Sequence, residues 1–244
     1  MTRDPYHGDG SGVGMSVSCP RCGGSVRPPD LMRADWRCDT CGDVPPLHVA
    51  EHNNAEIVKS VINTIAAGTP PGRGAVPLWC TWPLLRDWTV TGVAWAGDDH
   101  SGVRAAALAC SGPAPLGGGP ADLVIVAEEL GVGLGNRLAG LPGTDPGPDL
   151  VRELTRAEPA PGEAGNAHAK IKVDGHPTPL WSIPAADDRS AYVGEARGMW
   201  LYAIAWPAHA GYVLAEDVVL RDLCEWLPPE LVYGAPSPYL HGLA

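Results

Sequence analysis

The sequence of 244 residues contains no Phe, and this absence limits the kind of core that the chain can build. Nine Trp and six Tyr must supply the large aromatic volume, and a buried indole N–H usually needs a hydrogen-bond acceptor. Charged residues make up only 18% of the chain, whereas Gly and Pro are abundant at 31 and 26. A hydrophobic fraction of 45% still predicts a folded protein with one substantial core, one small appendage and long loops.

The sequence also lacks a long apolar segment. Residues 1–18, MTRDPYHGDGSGVGMSVS, contain no apolar region of a secretory signal, so we interpret 1–15 as a disordered tail and expect a cytoplasmic protein. The most apolar stretch, 198–215, carries no formal charge but contains Pro207 and His209. It is shorter than the ~20 apolar residues that cross a bilayer, which favours a buried strand and turn and excludes a membrane partner.

Positive charge is scarce as well, since the formal net charge is −11. Residues 1–75 carry seven Lys and Arg against eight Asp and Glu, whereas residues 76–244 carry ten against twenty. An acidic surface repels phosphate backbones, so we do not expect the larger part of the chain to bind nucleic acid.

Shifts in composition and Gly- or Pro-rich segments divide the chain into four parts. After the tail 1–15, residues 16–50 form a cysteine-rich module, hereafter the cysteine module, and 51–75 contain a helix and a Pro/Gly linker. Residues 76–244 alternate short apolar runs with Gly and Pro, as strands and turns do. Regular strand–helix alternation is missing, so we predict an α+β fold: a small N-terminal zinc ribbon followed by a larger, mostly antiparallel sheet domain with few helices.

Several segments carry a clear periodicity. In NNAEIVKSVINTIAAG, apolar residues recur at helical spacing between an Asn54 N-cap and a Gly68 stop. Strands are predicted at WTVTGVAWA, RAAALAC, ADLVIVA, AKIKV and MWLYAIAW. LAEDVVLRDLCEWL, at 214–227, has broadly helical spacing, and the Pro-, Gly- and charge-rich residues 142–168 are interpreted as a long surface loop.

The clearest motif is CPRCGGSVRPPDLMRADWRCDTCG, residues 19–42. Its two CxxC pairs are fifteen residues apart, which lies in the range of four-cysteine zinc sites, and each pair is followed by a Gly that permits a tight turn. We therefore predict that four thiolates bind one zinc ion. Because four sulfurs fill a tetrahedron, this zinc would be structural, and it would supply folding energy to a module with little core. The predicted ligands are Cys19, Cys22, Cys38 and Cys41.

Three other interpretations of this motif remain open. An iron site of rubredoxin type has similar cysteine turns, and the cysteines could instead form disulfides or a redox CxxC. Zinc ribbons also bind nucleic acid, but the cysteine module carries four Arg matched by four Asp. Four thiolates around zinc add two negative charges, so this module is not basic and we favour protein contact or scaffolding.

Candidate catalytic groups in the larger domain are scattered. Asp98, Asp99 and His100, in WAGDDHSG, could bind a cation or relay a proton, or could simply form a polar hairpin turn. Glu128 and its neighbour Glu129 are a second acidic pair, for which we expect one solvated and one paired carboxylate. The remaining cysteines, Cys80, Cys110 and Cys224, are interpreted as buried and apolar.

Two further motifs in the larger domain are weak. ELGVGLGNRLAG is rich in Gly but does not match the G-x-G-x-x-G phosphate loop, because Asn136 occupies the third position. In GEARGMW, Glu195 and Arg197 lie two residues apart on a predicted strand and could pair. No nucleophile, base and orienting group occur together.

The runs WPLLRDWTVTGVAWAGDDHSG, ACSGPAPLGG, VAEELGVGLGNRLAG, PTPLW and GEARGMWLYAIAWP resemble a family of uncharacterised actinobacterial proteins that also carry an N-terminal cysteine motif. The resemblance implies an actinobacterial source and brings no catalytic residues. Our leading hypothesis is a non-catalytic binding or adaptor protein that recognises a protein or a small ligand. The alternative is an enzyme, for example a metal-assisted hydrolase, acting through Asp98, Asp99, His100 and Glu128, and a nucleic-acid-binding zinc ribbon is the third hypothesis. The sequence does not determine the oligomeric state.

Overall fold

The structure is a computed structural model that describes residues 15–69, 72, 74–117, 119–156 and 168–241. Its strands are β1 Met15–Ser18, β2 Val26–Arg27, β3 Arg37–Cys38, β4 Gly42–Asp43, β5 Leu47–Ala50, β6 Trp79–Thr81, β7 Thr89–Asp98, β8 Gly102–Pro113, β9 Pro120–Glu128, β10 Ala169–Val173, β11 His176–Ile183, β12 Ser190–Ala196, β13 Met199–Trp206 and β14 Val219–Asp222. The helices are α1 Ala55–Ala67, α2 Leu134–Ala139, α3 Gly147–Arg156 and α4 Pro238–His241, with a 3₁₀ helix at Ala208–Ala215. The predicted tail lies, except for Met15, outside the described residues.

One large sheet organises most of these elements. Its eleven strands follow the order β1-β5-β7-β8-β9-β13-β12-β11-β10-β14-β6, and the small strands β2, β3 and β4 form a second sheet. Neighbouring strands of the large sheet are antiparallel except for β10 and β14, which pair in parallel. The predicted α+β class, with a mostly antiparallel sheet, few helices and cysteines near the N-terminus, is therefore confirmed.

The central strands are buried on both faces, which explains their nearly continuous apolar sequences. Side chains of β8, β9 and β13 alternate between two cores. On one face, Leu108, Ile125 and Leu201 pack with α1 and β6. On the other face, Tyr202 and Trp206 pack with Leu134 and Leu138 of α2.

Only some of the buried Trp side chains find a hydrogen-bond acceptor for their indole N–H. The Trp88 indole donates to the carbonyl oxygen of Pro113 at 3.2 Å. The indole nitrogens of Trp79, Trp181 and Trp206 are buried without a partner among the described residues. Trp side chains thus fill the core volume that Phe would otherwise occupy. Three of their indole N–H groups lack the hydrogen-bond acceptor that we expected.

The cysteine module begins and ends with strands of the large sheet. β1 and β5 pair with each other, and β5 continues the sheet by pairing with β7. The three short strands β2, β3 and β4 lie between β1 and β5 in the chain. Both ends of the module are thus held in the large sheet. The division at residues 50 and 75 stays a prediction.

The predicted helix between Asn54 and Gly68 is confirmed. The Asn54 side chain accepts the backbone N–H of Ile57 at 3.0 Å, as an N-cap does, and Gly68 is the C-cap residue. Ile57, Val58, Val61 and Ile65 are buried, which confirms the apolar face that their spacing predicted.

The predicted strands in the larger domain are also confirmed. AKIKV is β10 and MWLYAIAW is β13, while β7, β8 and β9 each extend one to three residues beyond the predicted runs at one or both ends. The apolar stretch 198–215 forms β13 and the 3₁₀ helix, as the strand-and-turn interpretation expected. Within the described part of the chain, no helix has the length and apolar character needed to cross a bilayer.

The prediction for 214–227 was wrong, because this segment contains the strand β14 instead of a helix. β14 joins the sheet between β10 and β6, and pairing with two neighbours outweighs a weak helical pattern. The interpretation of 142–168 as a loop was wrong for Gly147–Arg156, which is α3. Pro148 lies in the first turn, where a helix tolerates Pro, and Asp145 accepts the backbone N–H of Gly147. Residues 157–167 are outside the described residues.

Candidate metal centre

The four predicted cysteine ligands converge on one point. Their Sγ atoms all lie within 4.8 Å of one another, and the Sγ atoms of Cys22 and Cys38 are 3.5 Å apart. Among the residues that the structure describes, this is the His, Cys, Asp and Glu cluster that could hold a metal ion. Cys19 and Cys38 are buried, Cys41 is half-buried and Cys22 is exposed.

Local backbone geometry explains the convergence. In the first CxxC turn, the N–H of Gly23 donates to the carbonyl of Cys19, and the N–H of Cys19 donates to Gly24. Gly23 and Gly42 both have positive φ, at 75° and 77°, which L residues rarely adopt. Cys38 lies on β3, which pairs with β2 on one side and β4 on the other. This pairing places the second CxxC pair next to the first.

The dimensions and chemistry of this group fit a four-thiolate metal site. Four Zn–S bonds of ~2.3 Å in a tetrahedron separate the sulfurs by about 3.8 Å, which agrees with the observed cluster. Soft thiolates are the ligands that zinc and iron accept in tetrahedral sites. The residues present could therefore bind such an ion, with all four sulfurs as ligands.

The thiols have unequal acidities. Burial raises the pKa of Cys19 to about 12. Burial also acts to raise the pKa of Cys38, but hydrogen bonds from the backbone N–H groups of Cys41 and Thr40, together with the neighbouring thiols, lower it to about 7. Hydrogen-bonded sulfur is more readily deprotonated, so Cys38 is converted to a thiolate more easily than Cys19.

Arg21, which lies inside the first CxxC pair, joins the cysteine module to the large sheet. Its guanidinium donates to the carbonyl of Cys41 at 3.2 Å, to Gly131 at 2.9 Å and to Val132 at 3.3 Å. Gly131 and Val132 belong to the loop between β9 and α2. One side chain thus connects both cysteine pairs to a loop more than 100 residues away.

Arg137 of α2 contacts the first CxxC turn. Its Nη1 atom is 3.0 Å from the point that a Cβ atom would occupy on Gly23. Burial lowers the pKa of Arg137, and the negative charges of Cys19 and Cys22 act in the opposite direction. The sequence pattern did not single out Arg21 or Arg137, because both contacts depend on how the module sits on the sheet.

Glu128 fixes the start of α2. Its side chain is 0% exposed, and its Oε2 atom accepts the backbone N–H groups of Leu134 at 2.8 Å and Gly135 at 3.2 Å. Burial raises its pKa to about 7. Glu129 forms an ion pair with Arg104 at 3.0 Å. The expected solvated carboxylate was therefore wrong, since Glu128 is buried and Glu129 is paired.

The other part of the predicted acidic cluster is a hairpin turn. The Oδ1 atom of Asp98 accepts the N–H groups of His100 and Ser101 and the Ser101 hydroxyl, which closes the turn between β7 and β8. The strand register places Asp98 two strands across and three residues along from Glu128, a Cα separation of roughly 14 Å at standard sheet spacings. Asp98, Asp99 and His100 are thus not brought together with Glu128.

The predicted pair of Glu195 and Arg197 was also wrong. Arg197 has φ 54° and lies in the turn between β12 and β13, where Glu195 accepts the N–H of Gly198. The Arg197 guanidinium instead contacts the three carboxylates of Asp174, Asp222 and Glu225, at 2.6, 3.0 and 2.8 Å. These carboxylates come from β14 and neighbouring turns, so local spacing could not reveal them.

Arg197 lines a groove of about 660 Å³. Its walls include Ile65 of α1, Met199 and Cys224. Burial, followed by the charge of Asp222, raises the pKa of the Cys224 thiol to about 12. This thiol is therefore protonated at neutral pH and is not an activated nucleophile. Cys224 itself is half-buried, so the prediction that it is buried was wrong, whereas Cys80 and Cys110 are buried as predicted.

The fold and the cysteine cluster define a mostly antiparallel α+β protein with a four-cysteine group that could bind a metal ion. The chain belongs to the family of unknown function DUF6758, whose family model matches residues 14–240. No curated protein and no solved structure matches it. The predicted resemblance to an uncharacterised family is confirmed at this level.

Proposed function

We propose that this chain is a cytoplasmic, non-catalytic binding protein whose cysteine module is held together by a structural zinc ion. The observation that carries the metal assignment is the convergence of Cys19, Cys22, Cys38 and Cys41 within 4.8 Å. When four thiolates bind zinc, no coordination position remains for water or substrate. The ion would therefore stabilise the fold instead of supplying a reactive centre.

Zinc is favoured over the other interpretations of the motif. The spacing of fifteen residues between the two CxxC pairs is typical of four-cysteine zinc sites. A reducing cytosol keeps thiols free of disulfides, which favours a metal over a covalent link. Around the cysteines, the core is a small cluster of Cys19, Cys38 and Val44 with Val26 and Cys41 packed against it, so the metal would provide much of the folding energy of this part of the module.

The groove around Arg197 is the binding surface that we propose. The side chains of Arg197 and Glu225 remain 36% and 63% exposed and the cysteine is protonated, so the groove presents charged groups to a ligand without an activated nucleophile. Polar groups next to the apolar side chains of Ile65 and Met199 are typical of sites that bind a small molecule or a protein segment.

A protein or a small ligand is favoured over nucleic acid as the partner. In the cysteine module, Arg27 pairs with Asp39 at 2.6 Å and Arg21 is directed into the module and the sheet. Arg21 and Arg27 are therefore already engaged, whereas Arg33 and Arg37 are exposed. The four Arg of the module are matched by four Asp, and the larger part of the chain is acidic. Binding to phosphate backbones requires accessible, uncompensated positive charge.

Metal analysis of the purified full chain, prepared under reducing conditions, tests the zinc assignment. We expect about one equivalent of zinc, because one tetrahedral site is proposed. The variant Cys19→Ser should lose the metal, whereas the control Cys224→Ser should retain it. Less than about half an equivalent in the unmodified chain, or iron in place of zinc, would contradict the assignment.

Titration of the chain with small amines, small carboxylates and short peptides, followed by amide chemical shifts, tests the binding surface. We expect the shifts to change at Arg197–Met199 and Asp222–Glu225. Changes confined to other regions would contradict a binding role for the groove, and turnover of a test ester or phosphoester at this surface would contradict a non-catalytic role.

A further inference from the structure

Two arginines cross the contact between the cysteine module and the large sheet in opposite directions. Arg21 extends from the first CxxC turn to the loop after β9, where it donates to the carbonyls of Gly131 and Val132. Arg137 extends from α2 toward the same turn, where its Nη1 atom faces Gly23. A Cβ atom on Gly23 would lie 3.0 Å from that nitrogen, so the guanidinium packs closely against the turn.

The two arginines have different partners. Arg21 uses its N–H groups on backbone carbonyls, so its hydrogen bonds are satisfied without an anion. No carboxylate of the described residues forms an ion pair with Arg137, and its Nε atom is buried without a hydrogen-bond partner. The Nη1 atom of Arg137 instead lies against Gly23, the residue that follows the predicted ligand Cys22.

The charge of a four-thiolate site explains this arrangement. Four thiolates around one Zn²⁺ leave a net charge of about −2 in a partly buried position. A buried charge without a partner is strongly destabilising, and a cation nearby offsets that cost. A half-buried guanidinium that lacks a carboxylate partner and lies against the first CxxC turn has the position and the sign that such a site requires.

We propose that Arg137 is a positioning residue for the metal site, and that it compensates the thiolate charge from outside the cysteine module. Metal binding by the module and its docking on the large sheet are then a single coupled event. Removal of the metal should therefore weaken the contact between α2 and the first CxxC turn. This proposal depends on the proposed function, because it requires the four thiolates to bind a metal.

The sheet fixes the position of α2, the helix that carries Arg137. Glu128 of β9 accepts the first N–H groups of α2, and the Tyr202 hydroxyl donates to Asn136 at 2.8 Å. Gly135 lies so close to the Tyr202 ring that a Cβ atom there would be 2.4 Å from it. Groups that surround a metal site tune its affinity only when they are fixed in orientation, and α2 meets that condition.

Competition with a chromophoric chelator measures the zinc dissociation constant of the full chain and its variants. Arg137→Met removes the charge but keeps a long side chain, and we expect it to weaken zinc binding by about 10- to 100-fold. Arg137→Lys retains a charge and should lose less affinity. The control Arg86→Met removes an exposed arginine, 94% accessible at its side chain, and should leave the affinity unchanged.

The outcomes separate this proposal from the metal assignment itself. If the unmodified chain binds no zinc, the proposed function fails. If it binds zinc and Arg137→Met binds it equally tightly, only the role of Arg137 is overturned. Amide hydrogen exchange of the unmodified chain tests the coupling without any variant: chelation should accelerate exchange in Leu134–Ala139, and unchanged exchange there would overturn the proposal even if Arg137→Met failed to fold.

Discussion

The guanidinium of Arg21 donates to the backbone carbonyl of Gly131 at 2.9 Å, although the two residues are 110 positions apart in the chain. Arg21 also donates to Cys41 and Val132, so one side chain connects the two CxxC pairs with the loop that follows β9. This contact makes the cysteine module part of the large fold instead of a loosely attached appendage.

Replacement of Arg21 by Met should therefore destabilise the whole chain. Three hydrogen bonds from a charged donor are lost and three carbonyls lose a partner, which we expect to lower the free energy of unfolding by about 2 kcal/mol. Chemical denaturation followed by Trp fluorescence measures this. Arg86→Met is the matched control, and equal stability of the two variants would show that the Arg21 contacts do not hold the module.

The N-cap of α1 offers a separate test of the fold. Asn54→Ala removes the side-chain acceptor for the Ile57 N–H and should cost about 1 kcal/mol of the free energy of unfolding. Asn63 is an exposed residue in the middle of the same helix, so Asn63→Ala should be neutral or slightly stabilising. Thermal or denaturant unfolding of both variants checks the prediction, and equal effects would argue against the cap.

The part of the fold that sequence predicts is the part governed by neighbouring residues. The Asn54 cap, the apolar face of α1 and the alternating or continuous apolar runs of β9, β10 and β13 depend on spacing within a few positions. The cysteine cluster was predictable for the same reason, because each CxxC turn positions two sulfurs by itself. The polar turn at Asp98 likewise follows from residues that favour turns.

The remainder depends on contacts between distant segments. β14 is a strand because it pairs with β10 on one side and β6 on the other. The sequence of β14 alone does not favour a strand over a helix. Arg197, in the turn between β12 and β13, contacts Asp174, Asp222 and Glu225 only when the ends of β10 and β14 lie beside that turn. Glu128 is buried because α2 folds back over β9, and no local pattern distinguishes it from the adjacent Glu129.

The burial of Glu128 predicts a specific dependence of stability on pH. Its pKa rises from an ordinary value of 4.5 to about 7 in the folded chain, so the folded state keeps a proton that the unfolded state has lost. The contribution of this group is fully present below pH 4.5 and is lost as pH rises through 7. Its ionisation should cost up to about 3 kcal/mol above that range.

The variant Glu128→Gln isolates this effect, because Gln resembles the protonated acid and does not ionise. The difference in unfolding free energy between the variant and the unmodified chain should shift in favour of the variant between pH 5 and 8. Denaturant titrations at several pH values measure that difference. Parallel stability curves for the two proteins would show that Glu128 is not the group responsible.

Gly135 tests how closely α2 packs on the sheet. A Cβ atom at this position would lie 2.4 Å from the Tyr202 ring, so Gly135→Ala should cost about 1–3 kcal/mol through overpacking. The control Gly119→Ala adds a Cβ with nothing within 4 Å and should leave stability unchanged or slightly raised. Equal stability of the two variants in denaturant unfolding would contradict the packing of α2 on β13.

The central claim is that four thiolates close the coordination sphere of one structural metal ion, and cobalt substitution tests it most directly. Co²⁺ absorbs in the visible range, and its spectrum reports both geometry and sulfur ligands. We predict a tetrahedral, four-sulfur spectrum that added azide or imidazole does not change, and that Cys38→Ser alters. A spectrum with fewer sulfur ligands, or one that shifts when azide is added, would reveal an open position and would contradict the structural role.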